Sequence, residues 1–588
     1  MATPLTDRAG EGVGSAAEPH AASRTSDGCD LVVIGAGMGG MAAALVAALE
    51  GLNVVLCEAT QQVGGTTATS AGTLWMPGNR HGHEAGHGDS VEEAARYLEA
   101  LIGPDDARGT RRAFLASAGP AVDDLERRTH LAFASAGKHP DYRPLPGAAI
   151  AGRALAPLPF DGRLLGADFH RIRPPMPEFM LLGGMMVGKA DIRALVRRWQ
   201  SWPDFLHAAR LVARYARDRL THPRGTRLVM GNALVARLFL SLREAGVAMR
   251  FGCSLQALER VDGRVAVVRL RDAAGATQVL RARVGVVLAT GGVGHHRALR
   301  DELGPAGFEF KSLACESVAG AGIEAARAVG ARIEQHRENF LWQPVSVVAR
   351  PDGSTGLFPH LFLDRAKPGL VAVDTRGRRF VNEAASYHHF VEAMLALPRD
   401  AGRPPAWLVC DARFVRRYGL GAIPPGTRRL ETWVARGYVH TAFTLEALAG
   451  RIGVGVAALQ ATIDRSNTFA RAGRDADFGK GDSEFDRFNG DPEHAPNPCL
   501  GPVETPPYCA LAMWPADAAS SGGLATDAQG RVLGEDDAPI PGLFACGNDA
   551  ASVMRGSYPG PGTTLGPALA AGWRIGRFAA GARDGSSE

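Results

Sequence analysis

The 588-residue sequence lacks clustered cysteines, long apolar runs and an excess of one charge. Its eight cysteines are scattered, without a C-x-x-C pair or a grouping with histidine at metal-ligand spacing, so we predict reduced thiols and no metal site. No run approaches the roughly 20 apolar residues of a membrane span. The 65 basic and 61 acidic side chains nearly balance at +4, so nucleic acid is not an expected partner.

The N-terminus carries no recognisable targeting signal. Residues 1–27 are rich in Ala, Gly, Ser and charge, with neither an apolar segment nor a twin arginine. We therefore predict a disordered leader on a cytoplasmic protein. The remaining length exceeds one ordinary hydrophobic core, which favours two domains.

The most informative stretch, residues 30–58, predicts a strand, a glycine turn, a helix and a second strand. Gly35 permits the tight turn, Gly37 lets the backbone approach a pyrophosphate, and Gly40 lets the helix pack closely on the strand. The second strand ends at Glu58, where a carboxylate can accept hydrogen bonds from a ribose 2′-hydroxyl and would repel a 2′-phosphate. The pattern predicts a site for the ADP part of FAD or NAD and does not distinguish the two.

Three further glycine-containing segments are candidates for contact with the same cofactor. Small residues after Glu58 let backbone amides and hydroxyls approach a flat ligand, although an ordinary Gly/Thr loop is the alternative. Two apolar strands, 284–289 and 542–546, also end in glycine turns, as buried strands do at a cofactor. The candidate residues in these segments are Gly65, Thr66, Thr67, Ser70, Ala71, Gly72, Thr290, Gly291, Gly547 and Asn548.

The middle of the chain differs in composition from its two ends. Residues 348–519 contain more Pro, Arg and aromatic residues and no second dinucleotide motif. We predict an α/β fold in which a Rossmann-like nucleotide-binding domain, 28–347 and 520–588, is interrupted by an inserted α+β domain.

One predicted helix, residues 204–220, is ambiguous. Its apolar residues recur at helical spacing opposite a row of arginines. We interpret it as a core helix with a solvated basic face; a membrane-surface helix is the alternative.

Three tyrosines lie in segments that do not look like ordinary core. Tyr142 is in a Pro/Gly-rich stretch, Tyr387 follows the segment RRFVNEAAS, and Tyr558 begins YPGPGTTLGP before the last predicted helix. Taken singly, Tyr142 is better explained as an ordinary half-buried tyrosine, whereas Tyr387 and Tyr558 are as consistent with a packed core tyrosine as with a site residue. The last helix also presents free amides at its N-terminus, near Thr564 and Leu565, where negative charge is stabilised.

Together these segments resemble the flavoprotein family of fumarate reductase and succinate dehydrogenase, and within it the 3-ketosteroid Δ1-dehydrogenases. The resemblance extends from about residue 28 to 580. It rests on VVIGAGMGGMAAA with Glu58, GGTTATSAG, DYRPLPGAAIAGR with PLPFDGR, GRRFVNEAASY, SGGLATD and SYPGPGTTLGPAL.

The resemblance implies non-covalent FAD on the Rossmann-type domain, with Thr564 and Leu565 among its contacts and an inserted catalytic (cap) domain closing over the flavin ring. It also implies that Tyr558 and the Gly562 amide hold the C3 carbonyl of a 3-ketosteroid. Tyr387 would remove the C2 proton with help from Tyr142, while a hydride passes to flavin N5. Electrons would then leave to an external acceptor.

Elementary chemistry agrees with these implied roles. Desaturation beside a ketone builds negative charge on the carbonyl oxygen, for which a phenol and an amide aimed in advance are suitable donors. A phenol with a pKa of about 10 is a weak base at neutral pH, so Tyr387 needs a hydrogen-bonding neighbour.

Other functions remain open at this stage. A fumarate reductase-type site would need basic groups for a dicarboxylate, and Arg365, Arg379, His388 and His389 are available. The two histidines are unusually polar for a steroid pocket, so a smaller cyclic ketone or a Δ4-(5α) ketosteroid desaturation is an alternative, as is a non-catalytic flavin-binding protein. A hydrophobic cyclic ketone or steroid is the expected partner, and it would be compatible with peripheral membrane contact.

Overall fold

The computed structural model describes residues 28–585, except 106, 107, 306, 307, 309, 351, 362, 363 and 399–401. The predicted leader, residues 1–27, lies outside the described residues. Two large mixed sheets with flanking helices make up most of the described chain.

The first sheet is built on five parallel strands that carry the glycine motif. In spatial order they are Ala248–Phe251, Val54–Glu58, Cys29–Ile34, Thr277–Leu288 and Pro539–Ala545. The long fourth strand also pairs in antiparallel fashion with Arg264–Arg271, which pairs with Ser254–Val261. Arg531–Leu533 pairs with the last of the five. Parallel sheets of this kind are buried on both faces, which accounts for the continuous apolar runs in their strands.

Two helices cover one face of this sheet and pack closely on each other. These are Met38–Leu49 and the C-terminal Leu565–Gly585. The contact uses glycines: a Cβ on Gly572 would lie 2.6 Å from the Gly39 carbonyl oxygen, and one on Gly576 would lie 2.7 Å from the Val46 Cβ. The first and last helices of the described chain therefore share one core.

The second sheet holds the central part of the sequence. Its main strands, in spatial order, are Thr355–Pro359, Phe340–Ala349, Tyr508–Ser520, Ala406–Asp411 and Leu370–Asp374. Lys311–Ser312 and His440–Ala442 also pair with Tyr508–Ser520. The predicted insertion, residues 348–519, covers most of this sheet, and the strands that enter and leave it cross the predicted limits.

The remaining strands form small sheets around the two large ones. Leu74–Trp75, Ala154–Pro157 and Phe133–Ser135 make a three-stranded sheet. Two-stranded pairs are Phe160–Asp161 with Arg227–Leu228, Met180–Leu181 with Met185–Met186, and Ile333–Glu334 with Gly523–Leu524.

The other helices in the described part of the chain are Gly65–Thr69, Arg80–Glu84, Val91–Ile102, Thr110–Arg128, Lys189–Arg197, Trp202–Asp218, Met230–Glu244, Arg297–Leu303, Ala321–Ala328, Tyr387–Leu395, Ala412–Tyr418, Glu431–Ala435, Leu445–Ile452, Val456–Ala472 and Glu484–Asn489. Short 3₁₀ segments occur at Gly162–Arg171, Pro177–Phe179 and Gly547–Asp549. No helix within the described ranges is long and apolar enough to cross a bilayer.

Two sequence-based expectations need correction. The segment predicted as a loop after Glu58 contains a short helix, Gly65–Thr69, which begins where Gly64 adopts a positive φ of 108°. The helix predicted at 204–220 runs from Trp202 to Asp218, and only three of its residues, Ala208, Leu211 and Asp218, are buried. Interpreting it as a core helix was therefore wrong, because only one face packs on the described chain and most of its side chains are exposed.

The packing around the glycine motif explains why its first and third residues are glycines. Gly35 has a φ of +103°, and a Cβ there would lie 2.2 Å from the Ala289 carbonyl oxygen. A Cβ on Gly40 would lie 2.0 Å from the Gly35 carbonyl oxygen. A Cβ on Gly37 would meet no atom within 4 Å, so the space beside it is open.

We predict that Gly40→Ala lowers the free energy of unfolding of the cofactor-free protein by about 3 kcal/mol or more, because backbone cannot yield to the added methyl group. Gly37→Ala is the matched control and should stay within about 1 kcal/mol of the unsubstituted protein. Denaturant unfolding of both variants measures this difference. Equal losses would contradict the packing role assigned to Gly40.

Candidate active site

The glycine turn leads to a buried acid at the end of the next strand. One carboxylate oxygen of Glu58 accepts a hydrogen bond from the Ala36 amide at 3.0 Å, and the other accepts from the amide and hydroxyl of Thr60, each at 2.9 Å. Glu58 is thus held beside the turn at the carboxyl edge of the sheet, where ligands of open α/β sheets bind.

The segment after Glu58 closes over the start of the motif helix. The Thr67 hydroxyl accepts from the Met38 amide at 3.2 Å, and the Thr66 hydroxyl accepts from the Cys315 amide at 3.1 Å. The Ser70 hydroxyl donates to the Thr67 carbonyl at 2.8 Å.

The same segment ends against the helix Met230–Glu244. Gly72 has a φ of +71°, and a Cβ there would lie 2.6 Å from the Gly231 amide nitrogen. Ala71 is exposed, and a Cβ on Gly65 would meet nothing within 4 Å. Like Gly37, Gly65 therefore borders open space.

A buried aspartate, which the sequence reasoning missed, joins two other candidate segments. Asp549 accepts hydrogen bonds from the Thr290 amide at 2.5 Å, the Thr290 hydroxyl at 3.0 Å and the Gly292 amide at 2.8 Å. Burial raises the pKa of this carboxyl, and these donors oppose the rise. The sequence offered one signal for Asp549: it directly follows the candidate residues Gly547 and Asn548.

The turn at Gly547 and Asn548 lines a cleft. A Cβ on Gly547 would meet nothing within 4 Å, and Gly291 has a φ of +101°. The cleft-lining residues include Leu341, Ser520, Gly547, Asn548, Ser552 and Thr564.

The YPGPG segment is fixed by contacts from the N-terminal half of the chain. The Tyr97 hydroxyl and the Tyr142 amide both donate to the Pro559 carbonyl, at 2.7 and 2.8 Å. Gly562 has a φ of +89°, and a Cβ there would lie 2.3 Å from the Thr73 carbonyl oxygen. The helix then begins at Leu565.

A buried ionic cluster supports the same segment. Arg153 donates to Asp141 at 2.5 Å and to Asp89 at 2.8 Å, and the Trp75 indole donates to the other Asp141 oxygen at 2.8 Å. A Cβ on Gly560 would lie 2.7 Å from that oxygen. Burial raises the pKa of Asp141 to about 6, against the opposing influence of Arg153. Both residues lie in the segment DYRPLPGAAIAGR, and the sequence alone does not show that its aspartate and arginine form an ion pair.

The three candidate tyrosines meet in one buried cluster. The Tyr142 and Tyr387 hydroxyl oxygens are 2.9 Å apart. The Tyr558 ring lies 4.9 Å from the Tyr387 ring, edge to face, and 5.7 Å from the Tyr142 ring, nearly parallel. Leu341, Phe485 and Ala519 complete the apolar surroundings.

Burial raises the pKa of all three tyrosines above 10. For Tyr558, hydrogen bonds with Tyr387 and Thr564 oppose the rise. Tyr387 is the first residue of its helix, whose N-cap Ser386 accepts from the His389 amide. The cluster is thus a water-poor set of phenols whose hydroxyls can exchange a proton with one another.

The basic groups that a dicarboxylate site would use are engaged elsewhere. Arg365 is buried and donates to the carbonyl oxygens of His360, Leu361, Glu383 and Ala385. Arg379 forms ion pairs with Glu383 and Asp475, both at 2.8 Å. The two histidines lie near Glu392, at 3.6 Å for His388 and 3.3 Å for His389. This arrangement does not favour a fumarate reductase-type site.

Comparison with known proteins identifies the cofactor. A model of an FAD-binding domain family matches residues 30–565. The chain belongs to this family. FAD, predicted from the sequence, is therefore confirmed as the cofactor. The structure accommodates it, because Gly37, Gly65 and Gly547 border open space and Glu58 lies beside the turn.

Two curated relatives and one crystal structure resemble the whole chain. It is 38% identical over 557 residues to 4-oxocyclohex-2-ene-1-carboxylate 5-dehydrogenase of Sinomonas cyclohexanicum, covering 93% of each protein. It is 34% identical to 3-oxosteroid 1-dehydrogenase of Mycolicibacterium smegmatis, covering 92% of this chain and 96% of that one. The structure of 3-ketosteroid Δ1-dehydrogenase from Sterolibacterium denitrificans with 1,4-androstadiene-3,17-dione aligns with a TM-score of 0.86 at 34% identity, covering 94% and 99%.

These similarities confirm two sequence-based predictions. The chain resembles the 3-ketosteroid Δ1-dehydrogenases, and its fold is the mixed α/β FAD-binding flavoenzyme fold of the fumarate reductase superfamily.

We predict that Asp141→Asn destabilises the protein by about 3 kcal/mol, because it leaves the buried Arg153 with one carboxylate partner fewer. Activity should also fall at least about tenfold while bound FAD is retained, because Tyr142 and YPGPG lose their common support. Thermal unfolding and flavin absorbance measure the two effects. Asp123→Asn is a suitable control, since among the described residues Asp123 forms an ion pair with the half-exposed Arg80 alone. A stable variant with full turnover would contradict the supporting role of Asp141.

Proposed function

We propose that this protein is an FAD-dependent dehydrogenase that desaturates the A ring of a 3-ketosteroid between C1 and C2. The single observation that carries the proposal is the buried cluster of Tyr142, Tyr387 and Tyr558, with a 2.9 Å contact between two of the hydroxyls. The names of the relatives at 34% identity support the steroid as substrate.

The cofactor would be held non-covalently by the residues that border open space. Glu58 is assigned to the ribose, the Gly37 turn to the pyrophosphate, and the Thr66 and Asn548 segments to the flavin end. Bound FAD supplies the hydride acceptor. We also propose that residues 348–519 act as an inserted cap domain, which contributes Tyr387 to the site.

Tyr387 is assigned the removal of the C2 proton. Its hydroxyl lies beside that of Tyr142, which can donate a hydrogen bond to the phenolate and so favour it. The surrounding Leu341 and Phe485 exclude water and keep the proton transfer between phenols.

Tyr558 and the Gly562 amide are assigned to the C3 carbonyl oxygen. Two prolines stiffen the turn between them. The Tyr97 hydroxyl donates to the Pro559 carbonyl, and Gly562 packs against the Thr73 carbonyl. Donors fixed before the reaction need no reorganisation as negative charge develops on the oxygen. An external acceptor would take the electrons, and the cytoplasm is the proposed location.

A second candidate is desaturation of a cyclohexenone that carries a carboxylate. The relative at 38% identity acts, by its name, on such a compound. A polar group also lies near the tyrosines: the His388 ring is 6.0 Å from the Tyr558 ring, and His388 Nδ1 accepts from the Trp342 amide at 3.0 Å. This tautomer places the remaining proton on Nε2, which faces the Glu392 carboxylate at 3.6 Å.

We predict that a 3-oxo-4-ene steroid bleaches the flavin absorbance of the anaerobic holoenzyme. Tyr387→Phe and Tyr558→Phe should each lower the bleaching rate by at least about 100-fold while retaining FAD, because each removes a group used in the transition state. Tyr438→Phe, a buried tyrosine bonded to Ser346, is the matched control. A Tyr558→Phe variant with normal turnover would remove that residue from the mechanism.

The same assay separates the alternatives. Bleaching by 4-oxocyclohex-2-ene-1-carboxylate and not by the steroid would establish the second candidate. Bleaching by succinate would instead support a fumarate reductase-type function. Bound FAD that no ketone reduces would indicate a non-catalytic flavin protein.

We further predict that kcat/KM rises with pH into the alkaline range. Tyr387 acts as a base only when deprotonated, and burial raises its pKa above 10, so the active form becomes more abundant as pH increases. Tyr142→Phe should lower the rate of flavin reduction across this pH range, because the Tyr387 phenolate loses a neighbouring hydroxyl that can donate to it. A pH profile of single-turnover flavin reduction checks both statements. A rate that falls from neutral to alkaline pH would count against a tyrosine base.

A further inference from the structure

A buried arginine lies beside the segment that carries Tyr387, the proposed base. Arg365 is 1% exposed, and its guanidinium donates to the Ala385 carbonyl at 3.1 Å and to the Leu361 carbonyl at 2.7 Å. Ala385 is two residues before Tyr387, and Leu361 packs against the tyrosine cluster. The Arg365 Cζ also lies 4.8 Å from the centre of the Phe390 ring. Because Phe390 is three residues after Tyr387 on the same helix, both side chains lie on one face of it.

The positive charge of Arg365 is held by carbonyl groups. Besides the two contacts above, the guanidinium donates to the His360 carbonyl at 2.8 Å and to the Glu383 carbonyl at 2.7 Å. A buried charge normally has a charged partner, because carbonyl dipoles replace its hydration only in part. Burial accordingly lowers the pKa of Arg365 to about 10.

The acids close to Arg365 in the fold are bound to other side chains. The Asp364 carboxylate lies 2.6 Å from His360 Nδ1. The Glu383 carboxylate forms ion pairs with Arg379 at 2.8 Å and with Lys480 at 3.3 Å. In the part of the chain that the structure describes, no carboxylate forms an ion pair with the Arg365 guanidinium. Its charge therefore remains able to act on other groups nearby.

We propose that Arg365 is a positioning residue for the dehydrogenation, whose charge favours the phenolate form of Tyr387. This inference rests on the proposed function. The C2 proton would pass to the Tyr387 oxygen, while Arg365 keeps its own proton and remains charged. A nearby opposite charge favours the ionised form of an acid, and the effect is strong where protein replaces water. Arg365 thus opposes the burial that raises the pKa of Tyr387.

Other titratable groups face these two side chains. They come from the Pro/Gly-rich loop, the YPGPG turn, the helix of Tyr387 and the segments around Arg365: Tyr142, Tyr558, His388, Asp364, Glu383 and Asp486. Burial raises the pKa of the two tyrosines and of Asp486, so each of these three is shifted toward its neutral form. A comparison of variants at position 365 leaves all six in place and therefore measures the effect of Arg365.

The ionisation of residue 387 can be measured directly in the full-length holoenzyme. Incorporating 3,5-difluorotyrosine in place of Tyr387 makes this phenol more acidic, because fluorine withdraws electrons from the ring. Its ionisation then falls in a pH range where the protein is folded. The ¹⁹F NMR shift gives the midpoint without substrate, and anaerobic flavin reduction by a 3-oxo-4-ene steroid gives the rate at each pH.

Three variants at position 365 separate charge from hydrogen bonding. Arg365→Met and Arg365→Gln should each raise the midpoint by at least about one pH unit, and so lower flavin reduction at neutral pH at least about tenfold. Arg365→Lys restores the charge and should keep the midpoint within about half a pH unit of the unsubstituted protein. Two neutral variants are used because Arg365→Gln retains an amide donor for the carbonyls if Arg365→Met does not fold. Thermal unfolding and flavin absorbance identify the folded variants.

Arg237→Met is the matched control. The Arg237 guanidinium also donates to three backbone carbonyls, including that of His130 at 2.6 Å, and its Cζ lies 5.5 Å from the centre of the Phe160 ring. Its surroundings thus resemble those of Arg365, but it lies on the helix Met230–Glu244, outside the tyrosine cluster. This variant should leave both the midpoint and the rate unchanged.

Two outcomes would overturn the proposal. If the midpoint stays constant in a folded neutral variant, Arg365 only holds the surrounding loops, even where the rate falls. If Arg365→Lys raises the midpoint as much as the neutral variants do, the lost hydrogen bonds and not the charge are responsible. Because the midpoint is measured without steroid, a protein whose flavin no ketone reduces would contradict the proposed function and leave this measurement valid.

Discussion

The site depends on one buried ionic contact, that of Arg153 with Asp141 and Asp89. A buried ion pair adds little net stability, because desolvation offsets most of the attraction. What it contributes is geometry: Arg153 and Trp75 fix both oxygens of Asp141, and Tyr142 is the next residue. Since Gly560 lies against the same carboxylate, one contact sets the positions of two tyrosines that are more than 400 residues apart in sequence.

Around this contact, the fold depends on close packing of backbone segments at glycines as much as on side-chain contacts. The motif helix touches the strand turn at Gly40, the C-terminal helix touches the motif helix at Gly572, and YPGPG touches the Thr73 region at Gly562. Each approach brings together segments from distant parts of the chain. The consequence is a scaffold in which a substitution at Gly40 or Gly572 disturbs the site without touching a reacting group.

Much of the fold and of the candidate site was predictable from the sequence, because short local patterns of residues determine them. Strand, turn, helix and acid in residues 30–58 set the nucleotide site, and the extended motifs indicated FAD and the three tyrosines. Spacing could not show that Asp141 pairs with Arg153, or that Asp549 joins Thr290 to the last strand, because both contacts depend on chain segments that meet only in three dimensions. Sequence periodicity also could not tell which apolar face of the 204–220 helix is buried. Only the exposure of Trp202 and Leu206 answers that question.

Burial bears on the choice between the two candidate substrates. The environment that raises the pKa of Tyr142, Tyr387 and Tyr558 disfavours any negative charge, including the carboxylate of a small ring acid. Such a substrate would need a cationic partner, yet Arg365 and Arg379 are committed to protein groups. The one N–H that His388 can offer, at Nε2, faces the Glu392 carboxylate. A neutral apolar ketone needs no such partner, and for this reason the steroid ranks ahead of the ring acid even though the relative that acts on the acid is the more similar in sequence.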